Sequence, residues 1–159
     1  MVETEIVEYL DEHGIEYDVL EHGEEALTSE KAAELRGVPL DEMIKTMVFL
    51  DDNREVVIAV VPANKKVDLG SLKEEANIGS LKFADEDVIE DKMGYTVGAI
   101  PPFFPDEDYP IYMDSKIFWN DQVNFSSGVP EAGIEVELSS FRKIMEEFGA
   151  TKAPVAEDP

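Results

Sequence analysis

Two stretches hold the groups that could do chemistry. The first is Lys45-Thr46, directly ahead of the apolar run Met47 to Leu50. A lysine at the lip of an apolar sheet can anchor a phosphate or a carboxylate, or polarise a reacting carbonyl. A plain surface lysine is the competing reading. The second stretch is Met93 to Phe103, Met-Gly-Tyr-Thr-Val-Gly-Ala-Ile-Pro-Pro-Phe. Gly98 can take backbone angles closed to other residues and leaves room for a close approach to the main chain. Pro101 fixes its own φ and pushes Ile100 towards an extended conformation, and Pro102 does the same to Pro101. A rigid loop is expected, with the amides of Gly98 and Ala99 aimed at a developing oxyanion and Tyr95, Val97 and Phe103 around them. A Gly/Pro-rich turn between two strands is the plainer alternative.

Other reactive groups are sparse. His13 reads as a solvated helix-end residue, and His22, before a glycine, as a pocket rim or a turn. Ser126-Ser127-Gly128 could bring a hydroxyl into a cleft, although it is also ordinary turn chemistry. No Gly-x-Ser-x-Gly elbow is present, and no Gly-rich phosphate loop precedes Lys45. Two histidines without ligand spacing argue against a metal, and the absence of cysteine excludes thiol catalysis and Cys-ligated zinc. No cofactor is expected.

The 159 residues suit one domain with a sizeable core, and 43% hydrophobic content argues against a disordered acidic chain. The net charge of −24, from 37 acids and 13 bases, opposes nonspecific nucleic-acid binding. No apolar run approaches the ~20 residues of a membrane helix. The start, Met-Val-Glu-Thr-Glu, lacks the features of a signal peptide, so a cytoplasmic location and no membrane partner are expected.

The elements that must position these groups follow from periodicity and punctuation. Thr4 to Glu12 reads as an amphipathic helix and Ile15 to Leu20 as a half-buried strand. Thr28 or Ser29 caps a helix through Leu35, with Gly37 as terminator. Thr46 to Leu50 and Val56 to Val61, joined by Asp51-Asp52-Asn53-Arg54, predict an antiparallel hairpin at the centre of a sheet. Asp68 and Asp85 cap further helices. Ile111 to Met113 is a strand. Val123 to Phe125 and Ile134 to Leu138 form a second hairpin, and a last helix ends at Phe148. Residues 150–159 lack periodicity and read as a loose C-terminal tail, which leaves 1–149 as the domain. The mixture lacks a strict βαβ alternation and predicts an α+β domain with a mixed, mostly antiparallel sheet and helices outside it.

In order along the chain, several pieces resemble the YbaK/ProX family. They are Lys45-Thr46-Met47-Val48-Phe49, the strand ending in Pro62, Val67-Asp68-Leu69 with Leu72, Gly94 to Pro102, Asp114 and Ser126-Ser127-Gly128. The family comprises aminoacyl-tRNA deacylases related to the editing domain of bacterial prolyl-tRNA synthetases. The similarity runs from about Ile15 to Phe148. It implies a barrel-like sheet flanked by helices, and hydrolysis of the ester joining a wrong amino acid to tRNA. Mischarged tRNA and an aminoacyl-tRNA synthetase are the implied partners. The family's lysine falls on Lys45 with Thr46 beside it, its Gly-x-x-x-Pro loop on Gly98 to Pro102, and a pocket tyrosine on Tyr17. The serine of its Ser-x-Gly turn falls on Ser126, with Gly128 following, and an acid beyond the turn falls on Glu135. Two features depart from the pattern. Val129-Pro130-Glu131-Ala132 is neutral to acidic where a basic segment is often found, and no late histidine is present.

These residues imply a site without a protein nucleophile. The Gly98 loop amides would hold the oxyanion, Lys45 would hold the terminal phosphate or polarise the aminoacyl end, and water or a substrate group would attack. Tyr17, Val97, Ile100 and Phe103 would shape the side-chain pocket, with His22 at its rim. A non-catalytic module that binds an aminoacyl ligand or a synthetase is the alternative.

Overall fold

Seven apolar residues in a row, Val56–Pro62, form a strand buried on both faces, and the fold is built around it. A computed structural model describes residues 3–159; Met1 and Val2, the first part of the stretch read for a leader, lie outside them. This strand, β3, pairs antiparallel with Ile44–Leu50, labelled β2, as the hairpin pattern predicts. Val56, Ile58 and Val60 face one apolar cluster, and Val57, Ala59 and Val61 face another. A strand covered on both sides needs this unbroken apolar run, because its side chains alternate between two dry faces.

The remaining described elements are α1 (Glu5–Glu12), β1 (Asp18–Glu21), α2 (Ser29–Arg36), β4 (Lys66–Val67) and α3 (Leu69–Ala76). They continue with β5 (Lys82–Phe83), α4 (Glu86–Met93), β6 (Ile111–Asp114), β7 (Gln122–Ser126) and β8 (Ala132–Glu137). α5 (Leu138–Glu147), β9 (Thr151–Ala153) and β10 (Ala156–Glu157) complete the chain. Short 3₁₀ turns span Leu40–Glu42 and Ser115–Trp119. β1 is shorter and later than the sequence suggests, because its pairing with β8 begins only at Asp18. The helices start where side chains can accept the free first-turn amides: Thr4 Oγ1 from Val7, Thr28 Oγ1 from Lys31 and Asp68 Oδ1 from Ser71.

The sheets have the orders β5-β2-β3-β6-β9, β1-β8-β7 and β10-β4. Most pairings are antiparallel, while β6 runs parallel to both β3 and β9. The chain is thus a single α+β domain with mixed sheets. Among the described residues the strands do not close into one barrel. The larger cluster lies between the two main sheets, with Ile6 and Leu10 of α1 and Phe141, Ile144 and Met145 of α5 inside it. The two sheets meet at a bridge between Met43 and Asn124.

The C-terminal residues differ from the expected loose tail. β9 adds an edge to the five-stranded sheet, pairing Tyr112 with Thr151 and Asp114 with Ala153. β10 pairs antiparallel with β4, and Val155 between them is fully buried. The buried Asp114 side chain accepts from the amides of Val155 and Ala156 at 3.0 and 2.9 Å, and from that of Lys116 at 3.0 Å. Lys65 bonds Asp158 at the outer end. The sequence signal fails here because two- and three-residue strands have no periodicity of their own; distant partners determine them.

Candidate active site

β5 pairs only with Phe49 and Leu50, so the first half of β2 keeps an open edge. A cavity of about 420 Å³ lies along that edge. Ile44 to Val48 line one side, and α2 with the segment before it lines another through Leu27 to Glu30, Ala32 and Arg36. Val97, Gly98 and Ile100 close it from the Gly/Pro loop, Phe83, Ala84 and Ile89 contribute apolar wall, and Ser126 reaches it from β7. Two stretches more than fifty residues apart, Lys45-Thr46 and Val97 to Ile100 of the Gly/Pro loop, therefore share one cavity. A volume of this size, largely apolar with a few polar groups, suits a small ligand or the end of a larger one.

Lys45 is half-buried. Desolvation lowers its pKa below the ordinary lysine value, and the carboxylate of Glu30, on the same cavity wall, works against that shift. The ammonium is therefore less well hydrated than that of a surface lysine. Thr46 is buried beside it.

The Gly/Pro loop does what its glycine implies, with a different neighbour. Gly98 has φ 92°, in the left-handed half of the map. A Cβ there would overlap the Leu27 carbonyl oxygen and stand 2.8 Å from its carbonyl carbon. The space left by the missing side chain is filled by the main chain of Leu27, which ties the loop to the start of α2. The Ala99 amide is already committed: it donates to the Thr96 carbonyl at 2.9 Å, and Ala99 is buried. Among the described residues the Gly98 and Ile100 amides have no protein acceptor. Of the two amides expected to face an oxyanion, only that of Gly98 is free. Replacing Gly98 by alanine is expected to displace the loop from Leu27. The melting temperature should fall by roughly 5 °C or more, given ~1–3 kcal/mol for a strained backbone position, and activity should fall with it. An unchanged melting curve would show that the loop relaxes freely around a side chain.

The serine turn divides its two hydroxyls. Ser127 is buried and donates to the Ala132 carbonyl at 2.8 Å, so it holds the turn together. Ser126 lines the cavity while accepting from the Gly128 amide at 3.1 Å. Gly128, with φ 104°, stands behind this turn against the Tyr95 ring and does not line the cavity.

Five further expected residues lie elsewhere. Tyr17 donates to Asp11 Oδ1 at 2.6 Å, and this bond raises its pKa to about 12. With Glu135 it borders a separate depression beside Asp18 and Gln122. Neither residue lines the Lys45 cavity, because pairing of β1 with β8 carries them to the far end of the three-stranded sheet. Phe103 is buried among Tyr9, Phe125 and Phe148, with ring centroids 5.2–6.0 Å away, so it belongs to the core. His22 is held in a turn: its amide donates to the Glu131 carbonyl and its Nδ1 lies 2.8 Å from the Glu24 carbonyl. Pro102 is buried behind the loop.

Arg36, the last residue of α2, was missed. It lines the cavity, and its Nη1 donates to Asn124 Oδ1 at 2.8 Å. Desolvation alone lowers its pKa, to about 10. A signal was present: Arg36 falls four residues after Ala32, on the buried side of the helix. An arginine in a last helical turn is usually read as favouring the helix dipole, and that reading hides it.

With this geometry in place, residues 23–144 match the model of the aminoacyl-tRNA editing domain. The chain belongs to this family. A candidate Cys-tRNA(Pro)/Cys-tRNA(Cys) deacylase of Enterococcus faecalis is 24% identical over 138 residues, which are 86% of this chain and 83% of that protein. The proline–tRNA ligase of Staphylococcus aureus is 29% identical over 106 residues, 67% of this chain but 18% of the ligase. The crystal structure of a hypothetical protein superposes with a TM-score of 0.85 at 27% identity, covering 97% of this chain and 100% of the other. Lys45, Thr46, Gly98 and Ser126, the positions that the sequence resemblance singled out, all line the cavity at the β2 edge.

Proposed function

We propose that this protein is a trans-acting aminoacyl-tRNA deacylase that hydrolyses the ester between a wrong amino acid and its tRNA. The observation that carries this reading is the convergence of Lys45, Thr46, Gly98 and Ser126 on one cavity in a member of the editing-domain family. The aminoacyl end would enter along the open edge of β2. The Lys45 ammonium would bind the terminal phosphate or polarise the ester carbonyl, and the Gly98 amide would donate to the oxyanion as water adds. The proton taken from that water ends on the ribose oxygen that leaves. Thr46, Val97, Ile100 and Ser126 would contact the amino-acid side chain. A pocket of this kind separates side chains by ~1–3 kcal/mol per methylene, so discrimination is moderate.

The E. faecalis relative and the ligase segment favour a tRNA that a prolyl-tRNA synthetase charges wrongly, with such a synthetase as working partner. The test is a panel of mischarged tRNAs, beginning with cysteine and alanine on tRNA(Pro). Release of the amino acid well above the uncatalysed rate is expected for at least one of them. Binding without release across the panel would replace the enzyme with a non-catalytic aminoacyl-binding module.

A further inference from the structure

Arg36 is a cation that the proposed reaction leaves unused. The chain has 37 acids, yet among the described residues none forms an ion pair with it. Its one hydrogen-bond partner is the neutral Asn124, and its Nε is closed off from solvent with no acceptor. Asn124 Nδ2, equally buried, also lacks an acceptor. A partly buried guanidinium without a counter-charge is unfavourable, and an anion arriving from outside would relieve it.

The sheet is shaped for this side chain. Gly133 of β8 pairs with Ser126 of β7, and a Cβ at 133 would overlap the guanidinium carbon and Nε of Arg36. The glycine thus leaves a seat that any other residue would fill. Arg36 also lines the cavity, as does Ser126. Lys45 differs, since the field of Glu30 already offsets part of its charge.

We propose that Arg36, seated on Gly133 and braced by Asn124, is an anion subsite of this cavity that grips two oxygens of one substrate group. The planar fork of arginine matches phosphate and carboxylate oxygens in pairs. In an aminoacyl ester the α-carboxyl is esterified and uncharged. The anion is therefore a phosphate of the acceptor end or a carboxylate on the amino-acid side chain. The identity of the substrate rests on the deacylase reading; the existence of an anion subsite does not.

The test uses hydrolysis-resistant 3′-(aminoacylamino)-3′-deoxyadenosines, titrated calorimetrically into the parent, Arg36→Met and Arg36→Lys. Four probes combine an alanyl or aspartyl group with the presence or absence of a 5′-phosphate. In the parent, one of the two anions should tighten binding about tenfold, the scale of a charge-assisted hydrogen bond. Arg36→Met should abolish that gain and Arg36→Lys should keep part of it. The anion that shows the effect identifies its source. Gly133→Ala should reproduce the loss by unseating the guanidinium. Arg36→Met should melt at or above the parent temperature, because an apolar chain replaces an unpaired buried charge. A gain that survives in Arg36→Met, or no gain from either anion in the parent, overturns the proposal. If that happens while the parent still hydrolyses mischarged tRNA, the deacylase reading stands alone. If no analogue binds, inorganic pyrophosphate takes their place: binding lost in Arg36→Met keeps the subsite, and no binding to the parent overturns it.

Discussion

Lys45→Ala is expected to fold like the parent and to lose deacylation by ~10²–10³ in kcat/KM, the usual loss when one preorganised group facing a developing charge is removed. The fold should survive because Lys45 lines a cavity at an open strand edge and makes no ion pair among the described residues. Desolvation already disfavours its charge, so removal relieves an electrostatic penalty. Lys45→Arg should recover little, since a larger planar fork cannot stand where a compact ammonium did. Melting curves and initial rates on one mischarged tRNA check both halves. A rate within threefold of the parent would remove Lys45 from the site and with it the proposed mechanism.

Removing residues 151–159 is expected to lower the melting temperature by roughly 10 °C or more. The fully buried Val155 alone contributes ~1.5–3 kcal/mol. The buried Asp114 carboxylate would lose the amides of Val155 and Ala156, at ~1.5–3 kcal/mol for each hydrogen bond to a charged group. Each kcal/mol shifts the midpoint by ~2–4 °C in a chain of this size. Asp114→Ala should cause a large part of the same fall with the tail still present, because it strands the same two amides. A truncated protein that melts within 2 °C of the parent would mean that the two short strands dock without stabilising the sheet. Deacylation measured well below the midpoint should persist, since Asp114 and the tail lie outside the Lys45 cavity.

These two experiments fall on either side of the line between what was legible in the sequence and what was not. The β2–β3 hairpin was legible because Val56 to Val61 can only be a doubly covered strand, and Asp51 to Arg54 can only turn. The caps at Thr28 and Asp68 were legible because a side-chain acceptor next to free helix amides acts locally, whereas Asp85 stands at the start of α4 without a side-chain cap bond, and Thr4 caps α1 where the pattern placed it inside the helix. Lys45 and Gly98 stood out for the same kind of reason: each breaks the pattern around it. Local signals also failed in a consistent way. Ala99 looked like a free donor until Thr96 took its hydrogen bond. Tyr17 and Glu135 matched a motif by order along the chain, but β1–β8 pairing holds them away from the cavity. The tail lacked periodicity because its order comes from β6, β4 and Asp114, some forty to ninety residues earlier. Arg36 looked like an ordinary helix-end cation, and only the packing of α2 over Gly133 and Asn124 partly buries it and leaves it without a counter-charge among the described residues. The sequence by itself determined the hairpin, the caps and the two stretches that meet at the site, because propensity and punctuation act within a few residues. Which amides remain free, which charges lose their water and which strands cover an edge were decided only by the tertiary structure, because each depends on a neighbour distant in the chain.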